Sequence, residues 1–233
     1  RLGILLFCLL IPLRQKIDKL MRGLPKYSSG KKLLDVGFGN GAFLELAKGA
    51  GWEVYGVDFD AIVVKSARAR GFDVRLGDID AFSDMPGYFD FITLSHVIEH
   101  VHDPRAVVKQ INRLLKPGGR VWIETPNFES YSHQRFGSNW RGLEPPRHLV
   151  LFNWSALEEL LMEEGFYELN RLPRHDVYRK LATLSRIIEN PNNPNTGLFI
   201  KIYDSIVDLL RGVQSRFNYN RSEHITLIAT KRL

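Results

Sequence analysis

Leu33-Leu34-Asp35-Val36-Gly37-Phe38-Gly39-Asn40-Gly41 is the stretch on which the fold of this chain turns. Lys32 to Val36 is a short apolar run, the pattern of a buried strand, and it ends in glycines spaced G-x-G-x-G. Glycines there allow a tight strand-to-helix turn and let a ligand approach bare backbone. Alone the pattern is weak, because several nucleotide sites use relatives of it and a plain strand-to-helix turn looks the same.

Outward from this loop the chain alternates strands and helices. Ala42 to Ala50 reads as a helix stopped by Gly49 and Gly51, Glu53 to Val57 as a second strand, and Ala61 to Arg70 as a second helix ended by Gly71. Asp73 to Leu76 is a third strand and Phe89 to Leu94 a fourth. Asp103-Pro104 opens a helix running to Leu115, with Asp103 placed to cap and Pro104 at the first turn. Lys116-Pro117-Gly118-Gly119 is a sharp turn into a fifth strand, Arg120 to Glu124. Short connections between alternating elements predict an α/β fold with an open, mostly parallel sheet and helices on both faces.

After Pro126 the regularity lapses. Residues Asn127 to Phe152 read as a long irregular loop of the kind that carries function. A helix capped by Asn153 or Ser155 runs through Glu164, and Phe166 to Leu172 and His224 to Thr230 are strand-like. Between them, residues 173–223 hold helical patterns at Val177 to Ile188 and Leu198 to Val213, with a Pro/Asn-rich hinge at Asn190 to Asn195. This insertion is expected to be a lid or a dimer surface within one domain, residues 27–233, preceded by a helical segment, residues 1–26.

Asp58 closes the second strand. An acidic side chain there can accept both hydroxyls of a ribose, so strand, glycine loop, helix, strand and acid in this order describe an adenosine-type site.

With these residues in place, the sequence resembles the class I methyltransferases that use S-adenosylmethionine (SAM). Leu33 to Gly41 looks like their first motif, Tyr-Gly-Val-Asp58 like their ribose-binding acid, and Gly77-Asp78-Ile79 like the segment that meets adenine. Phe89-Asp90-Phe-Ile-Thr-Leu-Ser95-His96-Val-Ile-Glu99-His100 and Leu115-Lys-Pro-Gly-Gly119 match the fourth strand and the turn before the fifth. The likeness covers residues 30–170 and extends to 224–231. It implies a Rossmann-like sheet of seven strands with an antiparallel last strand. It also implies SAM as cofactor and S-adenosylhomocysteine as product, and cofactor contacts from Asp35, Gly37, Phe38, Gly39, Gly41, Asp58, Phe59, Asp78, Ile79 and Ser95. Asp35 would face the ammonium of the methionine moiety. A carboxylate there would repel a pyrophosphate, which argues against an NAD-type oxidoreductase. Phe38 stands where many relatives carry Cys or a small residue, a departure that bears on packing.

His96-Val97-Ile98-Glu99-His100 also matches the H-x-x-E-H pattern of inverted zinc proteases, and on a helix its three ligand types would share a face. Some ubiquinone-pathway O-methyltransferases place Glu-x-x-Glu-His here and use it for a divalent metal; His96 replaces that first Glu. Because the pattern begins as a strand ends, Glu99 and His100 are expected to cap and pack, with no metal bound. His96, just past the fourth strand, is a candidate general base near the transferred methyl, or else a lining residue. The second candidate base is His148, in Trp140-Arg141-Gly-Leu-Glu144-Pro-Pro-Arg147-His148-Leu, which resembles a Pro-Arg-His-Leu segment of bacterial methyltransferases acting on sugars, lipid-linked intermediates or small metabolites. Arg147 is expected to clamp an anionic group and Trp140 to stack on a ring, unless Arg147 and His148 merely pair with sheet-end carbonyls.

Composition narrows the class. The 233 residues are 44% hydrophobic and 25% charged, ordinary for a folded domain, and the net charge of +6 is spread without a basic block. One cysteine, Cys8, excludes an internal disulfide framework and a Cys-rich zinc site, which suits a cytoplasmic location. The first residue is Arg1 rather than Met, as in a trimmed chain. Leu2 to Leu13 is apolar but shorter than a spanning helix requires. It reads either as a helix packed on the domain or, with Arg14, Lys16, Lys19 and Arg22 following, as a peripheral membrane contact. The expected partner is a small-molecule or glycan acceptor and no nucleic acid, since Ser95-His96 stands where an Asn/Asp-Pro-Pro-Tyr-like motif would serve base flipping. A monomer or homodimer is expected. A SAM-binding regulatory or scaffold protein is the non-enzymatic alternative.

Overall fold

The computed structural model describes residues 21–24, 30–172, 178–192, 197–214 and 220–233. The elements are β1 (Lys32–Val36), α1 (Ala42–Gly49), β2 (Glu53–Asp58), α2 (Ala61–Ala69), β3 (Asp73–Leu76), β4 (Phe89–Ser95), α3 (Pro104–Leu114) and β5 (Leu115–Pro126). There follow α4 (Tyr131–Phe136), α5 (Trp154–Glu163), β6 (Phe166–Arg171), α6 (Tyr178–Glu189), α7 (Leu198–Gln214) and β7 (His224–Lys231). The seven strands lie in the order β3-β2-β1-β4-β5-β7-β6. β7 runs antiparallel to both neighbours, and the other pairs are parallel. This is the mostly parallel sheet with an antiparallel last strand that the sequence implies. The order reverses between β1 and β4, so a crevice opens at their carboxyl ends.

Both faces of the sheet are covered, which is why β1 reads as a continuous apolar run rather than an alternating one. Leu33 points with Phe91 and Trp122 into a core closed by Phe43, Leu44 and Ala47 of α1 and Val64 and Ala67 of α2. Leu34, one residue on, points with Ile92 and Val121 into the opposite core against Val108 and Ile111 of α3 and Leu157 of α5. Each such side chain contributes about 1.5–3 kcal/mol by leaving water. Phe38 belongs to the first core: a Cβ on Gly56 would lie 2.7 Å from the Phe38 ring, so its ring covers the β2 backbone. Its side chain therefore faces away from the crevice, contrary to its expected place among the cofactor contacts.

Two segments differ from the sequence reading. β5 begins at Leu115, paired to Phe89, and the Lys116-to-Gly119 turn is a bulge within it, with Gly118 at φ +71°. Residues 127–152 are less irregular than expected: Ser130 caps α4 through the His133 N–H (3.2 Å), and short 3₁₀ turns follow at Gly137–Asn139 and Arg141–Leu143. In the insertion, Tyr178 and Ala182 of α6 pack on Phe136 and Trp140, and Arg186 forms a buried bidentate pair with Asp204 of α7. Within the segment expected to form the helical N-terminus, only Met21 to Leu24 are described, and residues 193–195 of the predicted hinge also lie outside the described residues.

Candidate active site

The crevice is built from strand ends. Asp35, at the end of β1, is fully buried and accepts a hydrogen bond from the Thr93 hydroxyl (2.8 Å) on β4 and an ion pair from Arg22, both at Oδ1. Its second oxygen, Oδ2, is buried with no partner. Burial pushes the Asp35 carboxyl above its ordinary range even though Arg22 and Thr93 pull the other way. Arg22 is held by stacking over Phe43, 4.1 Å from the ring centre.

The glycine loop wraps over the end of β2. The Gly37 N–H donates to the Val57 carbonyl (2.8 Å), and the Gly39 N–H to Asp58 Oδ2 (2.9 Å). Asp58 Oδ1 accepts from the Asp60 N–H (3.0 Å). Gly41 caps α1 at φ +76°, a left-handed conformation that favours glycine. Asp78 caps the 3₁₀ turn Ile79–Phe82 through the Asp80 N–H (2.9 Å). Gly37, Asp58, Phe59, Asp78 and Ile79 line a narrow groove of about 60 Å³, with Val97 seated over Gly37. Through Phe59, Asp78 and Ile79 the groove meets a cleft of about 800 Å³ along α3 that reaches His100. Of the residues expected for the cofactor, Gly37, Asp58, Phe59, Asp78 and Ile79 line this groove or cleft, whereas Asp35, Phe38, Gly39, Gly41 and Ser95 line neither.

A second cavity of about 370 Å³ lies past β4 and β5. His96, Trp140, Arg147 and His148, read separately from the sequence, all line it, together with His100 and His224. The meeting has a backbone cause: the N–H groups of Leu149 (2.8 Å) and Val150 (3.2 Å) donate to the Glu99 carbonyl and dock the loop beside the 3₁₀ turn Ile98–His100. His148 Nδ1 pairs with the Gly142 carbonyl (2.7 Å) and His100 Nδ1 with the Arg147 carbonyl (2.8 Å), with the rings 4.8 Å apart. These carbonyls accept, so both rings carry a proton on Nδ1. The Gly142 carbonyl lies in a 3₁₀ turn rather than at a sheet end, and the second nitrogen of the His148 ring, Nε2, sits 3.7 Å from Glu144 Oε2. Arg147 is 70% exposed at its side chain and pairs with Glu144 (2.6 Å). Burial would raise the Glu144 carboxyl, but Arg141, Arg147 and His148 hold it below its ordinary range. Trp140 is buried with its Nε1 unpartnered.

His96 sits at φ +55° with its N–H on the Glu124 carbonyl (2.8 Å). Its ring lies between two buried carboxylates, Nδ1 3.1 Å from Glu99 and Nε2 3.4 Å from Glu124. Burial alone would lower its pKa, but Glu124 and Glu99 together raise it to about 9. His96 is therefore a cation at neutral pH. The carboxylates are themselves tied to strand hydroxyls, Glu99 to Thr125 (2.9 Å) and Glu124 to Thr226 (3.1 Å). The folded chain binds this proton more tightly than the unfolded chain. Its contribution to stability is complete below pH 6.5 and fades as the pH climbs through 9. Calorimetric melts should show the midpoint falling across that window in wild type and a flatter profile in His96→Gln; equal slopes would contradict the clamp.

The helical triad suggested by H-x-x-E-H does not form, because His96 leaves the strand in a left-handed conformation. Among the described residues, the three groups close enough to share a metal are Glu99, His100 and His148, whose ligand atoms all lie within 4.8 Å. Two imidazoles and a carboxylate suit a first-row divalent ion. The sequence reading gave Thr93, Glu124 and His224 no place in the site and took Arg22 only as part of a basic run after the apolar N-terminal segment. Of these only Glu124, a carboxylate inside the apolar run Val121 to Thr125, carried a local signal.

Comparison with known proteins agrees with this geometry. Residues 11–169 match the model of the family described as methyltransferase domain. Among curated proteins, the ubiquinone biosynthesis O-methyltransferase of Thiobacillus denitrificans is 38% identical over 112 residues, covering 45% of this chain and 48% of that protein. Its counterpart in Idiomarina loihiensis is 39% identical over 105 residues, covering 42% and 43%. The chain matches about half the length of these relatives. Among solved structures, a SAM-dependent methyltransferase from Archaeoglobus fulgidus superposes with a TM-score of 0.59 at 24% identity, covering 96% of this chain and 94% of that one. Haemonchus contortus phosphoethanolamine N-methyltransferase 2, solved with S-adenosyl-L-methionine, gives 0.61 at 21%, covering 94% and 53%. At these identities the structures speak for the fold. With more than half of its length matched by the family model, the chain belongs to the methyltransferase domain family.

Proposed function

We propose that this chain binds SAM in the crevice and transfers its methyl group to a hydroxyl held in the histidine-lined cavity. The observation that carries the reading is Asp35: a buried carboxylate with one unsatisfied oxygen at the switch point, beside a glycine loop and Asp58. An ammonium group satisfies Oδ2, whereas a pyrophosphate would be repelled. Arg22 offers its guanidinium to the carboxylate of the same methionine moiety. Asp58 keeps lone pairs for ribose hydroxyls beyond the two amides it holds, and Ile79 offers an apolar surface to adenine.

The sulfonium of bound SAM supplies a methyl carbon already activated for in-line displacement. What remains for the protein is alignment and removal of one proton. His96 is protonated and cannot act as that base. The role falls to His148, whose Nδ1 is tied to the Gly142 carbonyl and whose Nε2, 3.7 Å from Glu144, is the nitrogen left to take the acceptor proton, with His100 beside it as the residue common to cavity and cleft. His96 positions Glu99 and Glu124.

The acceptor is a small molecule, sugar or lipid-linked intermediate. A cavity of this size takes one ring system, Trp140 offers an indole N–H, and Arg147 and Lys180 add positive charge at its edge. The O-methyltransferase names of the curated relatives support a hydroxyl. We place the activity in the cytoplasm, with no nucleic-acid substrate. None of the described helices is long and apolar enough to cross a membrane, and the peripheral contact proposed for residues 1–22 falls almost wholly outside the described residues.

The test is a screen of hydroxylated metabolites and glycan precursors with methyl-labelled SAM. Label should appear on a hydroxyl with stoichiometric release of S-adenosylhomocysteine. Label confined to amines would overturn the hydroxyl assignment. Tight SAM binding with no transfer to any acceptor would instead favour the regulatory reading.

A further inference from the structure

α7 is turned the wrong way round for a helix of a single folded chain. Its polar Asp204 faces the body, 1% exposed in the pair with Arg186, while Leu198, Phe199, Ile202, Tyr203, Ile206 and Leu210 are between 49% and 89% exposed. At about 100° per residue these six fall within an arc of about 140°, the breadth of a face that normally meets a core. Ile187 and Ile188 of α6 are 42% and 44% exposed as well. They continue the helix face on which Leu181 and Leu184 line the histidine-rich cavity.

We infer that this face pairs with the same face of a second copy of the chain, α7 lying antiparallel to its mate across a two-fold axis. Two observations choose that occupant. At about 200 Å² for a large side chain, the six residues expose roughly 700 Å² per copy. Two copies then reach roughly 1,400 Å², the size of a standard stable interface. The second observation is charge. With Asp204 neutralised by Arg186, the sequence of α7 leaves two bases, Lys201 and Arg211, against one acid, Asp208, a surplus of a single charge. Helices that lie on membranes are rich in Lys and Arg. A self-complementary apolar face with so little net charge suits an isologous dimer. Pairing would brace α6, and with it one wall of the cavity. The inference stands on α7 alone, so it can fail without touching the methyl-transfer reading, and the reverse.

Sedimentation equilibrium of the full chain from 1 to 50 μM tests it. Wild type should show the mass of two chains. Ile202→Asp with Ile206→Asp should raise the dimer dissociation constant at least about 100-fold, since two carboxylates per copy would be buried unpaired. Should that variant fail to fold, Ile206→Cys in a Cys8→Ser background keeps the question open to measurement. Ile206 is mid-helix, where an antiparallel pair brings like positions together, and mild oxidation should link two chains. Three results would overturn the inference: a single-chain mass for wild type at every concentration, whether the face is covered by residues 2–13 or by added phosphatidylglycerol vesicles; a dimer indifferent to the aspartates; or no crosslink.

Discussion

His148→Ala is expected to lower turnover by about 10²–10⁴-fold, the range lost with a general base, while SAM affinity stays within about twofold of wild type. The asymmetry follows from position. His148 lines the histidine-rich cavity and neither the groove nor the cleft, and with its Nδ1 tied to the Gly142 carbonyl it meets the acceptor through Nε2. Loss of the ring also removes a neighbour of His100, 4.8 Å away, so His148→Gln serves as a control that keeps bulk and hydrogen bonding without basicity. Both variants should lose turnover alike. Near-wild-type turnover in either would remove His148 from the mechanism and leave His100 as the base.

Asp35→Asn carries the second large effect. A charged hydrogen bond to a buried carboxylate contributes about 1.5–3 kcal/mol, so the amide should weaken SAM binding by up to about 100-fold. Folding should survive, because the amide oxygen can still accept from Thr93 and Arg22, and because burial already disfavours the charge at this position. Isothermal titration of the folded variant reads the effect. Unchanged affinity, with an unchanged circular dichroism spectrum, would mean that the ammonium is held elsewhere.

How much was legible beforehand depended on distance along the chain. β1 and the bounds of the glycine loop were readable because a strand buried between helices is an apolar run and turns demand glycine. Asp35 and Gly37 lie at the end of β1, Asp58 at the end of β2 and Asp78 just past β3, a local property that the sequence displays. The meeting of His148 with His100 required the long-range docking of Leu149 and Val150 on the Glu99 carbonyl, which no periodicity reports. The place of the Phe38 ring was hidden for a similar reason: the space that takes it is left by Gly56, on the next strand. His96 was legible only as a candidate base or a lining residue, because its two carboxylate neighbours come from separate places, Glu99 in the following turn and Glu124 on the adjacent strand. Charge patterns along a sequence do not show which carboxylates a sheet register brings together. The bulge at Gly118 likewise depends on Leu115 pairing to Phe89 rather than on the turn residues themselves.

The central claim is that Asp35, the glycine loop and Asp58 form a SAM site. Isothermal titration of the full chain with SAM, S-adenosylhomocysteine and NADH tests it most directly. The account predicts one site of micromolar affinity for the first two ligands and no heat of binding for NADH. Saturable NADH binding, with none for SAM or S-adenosylhomocysteine, would contradict it.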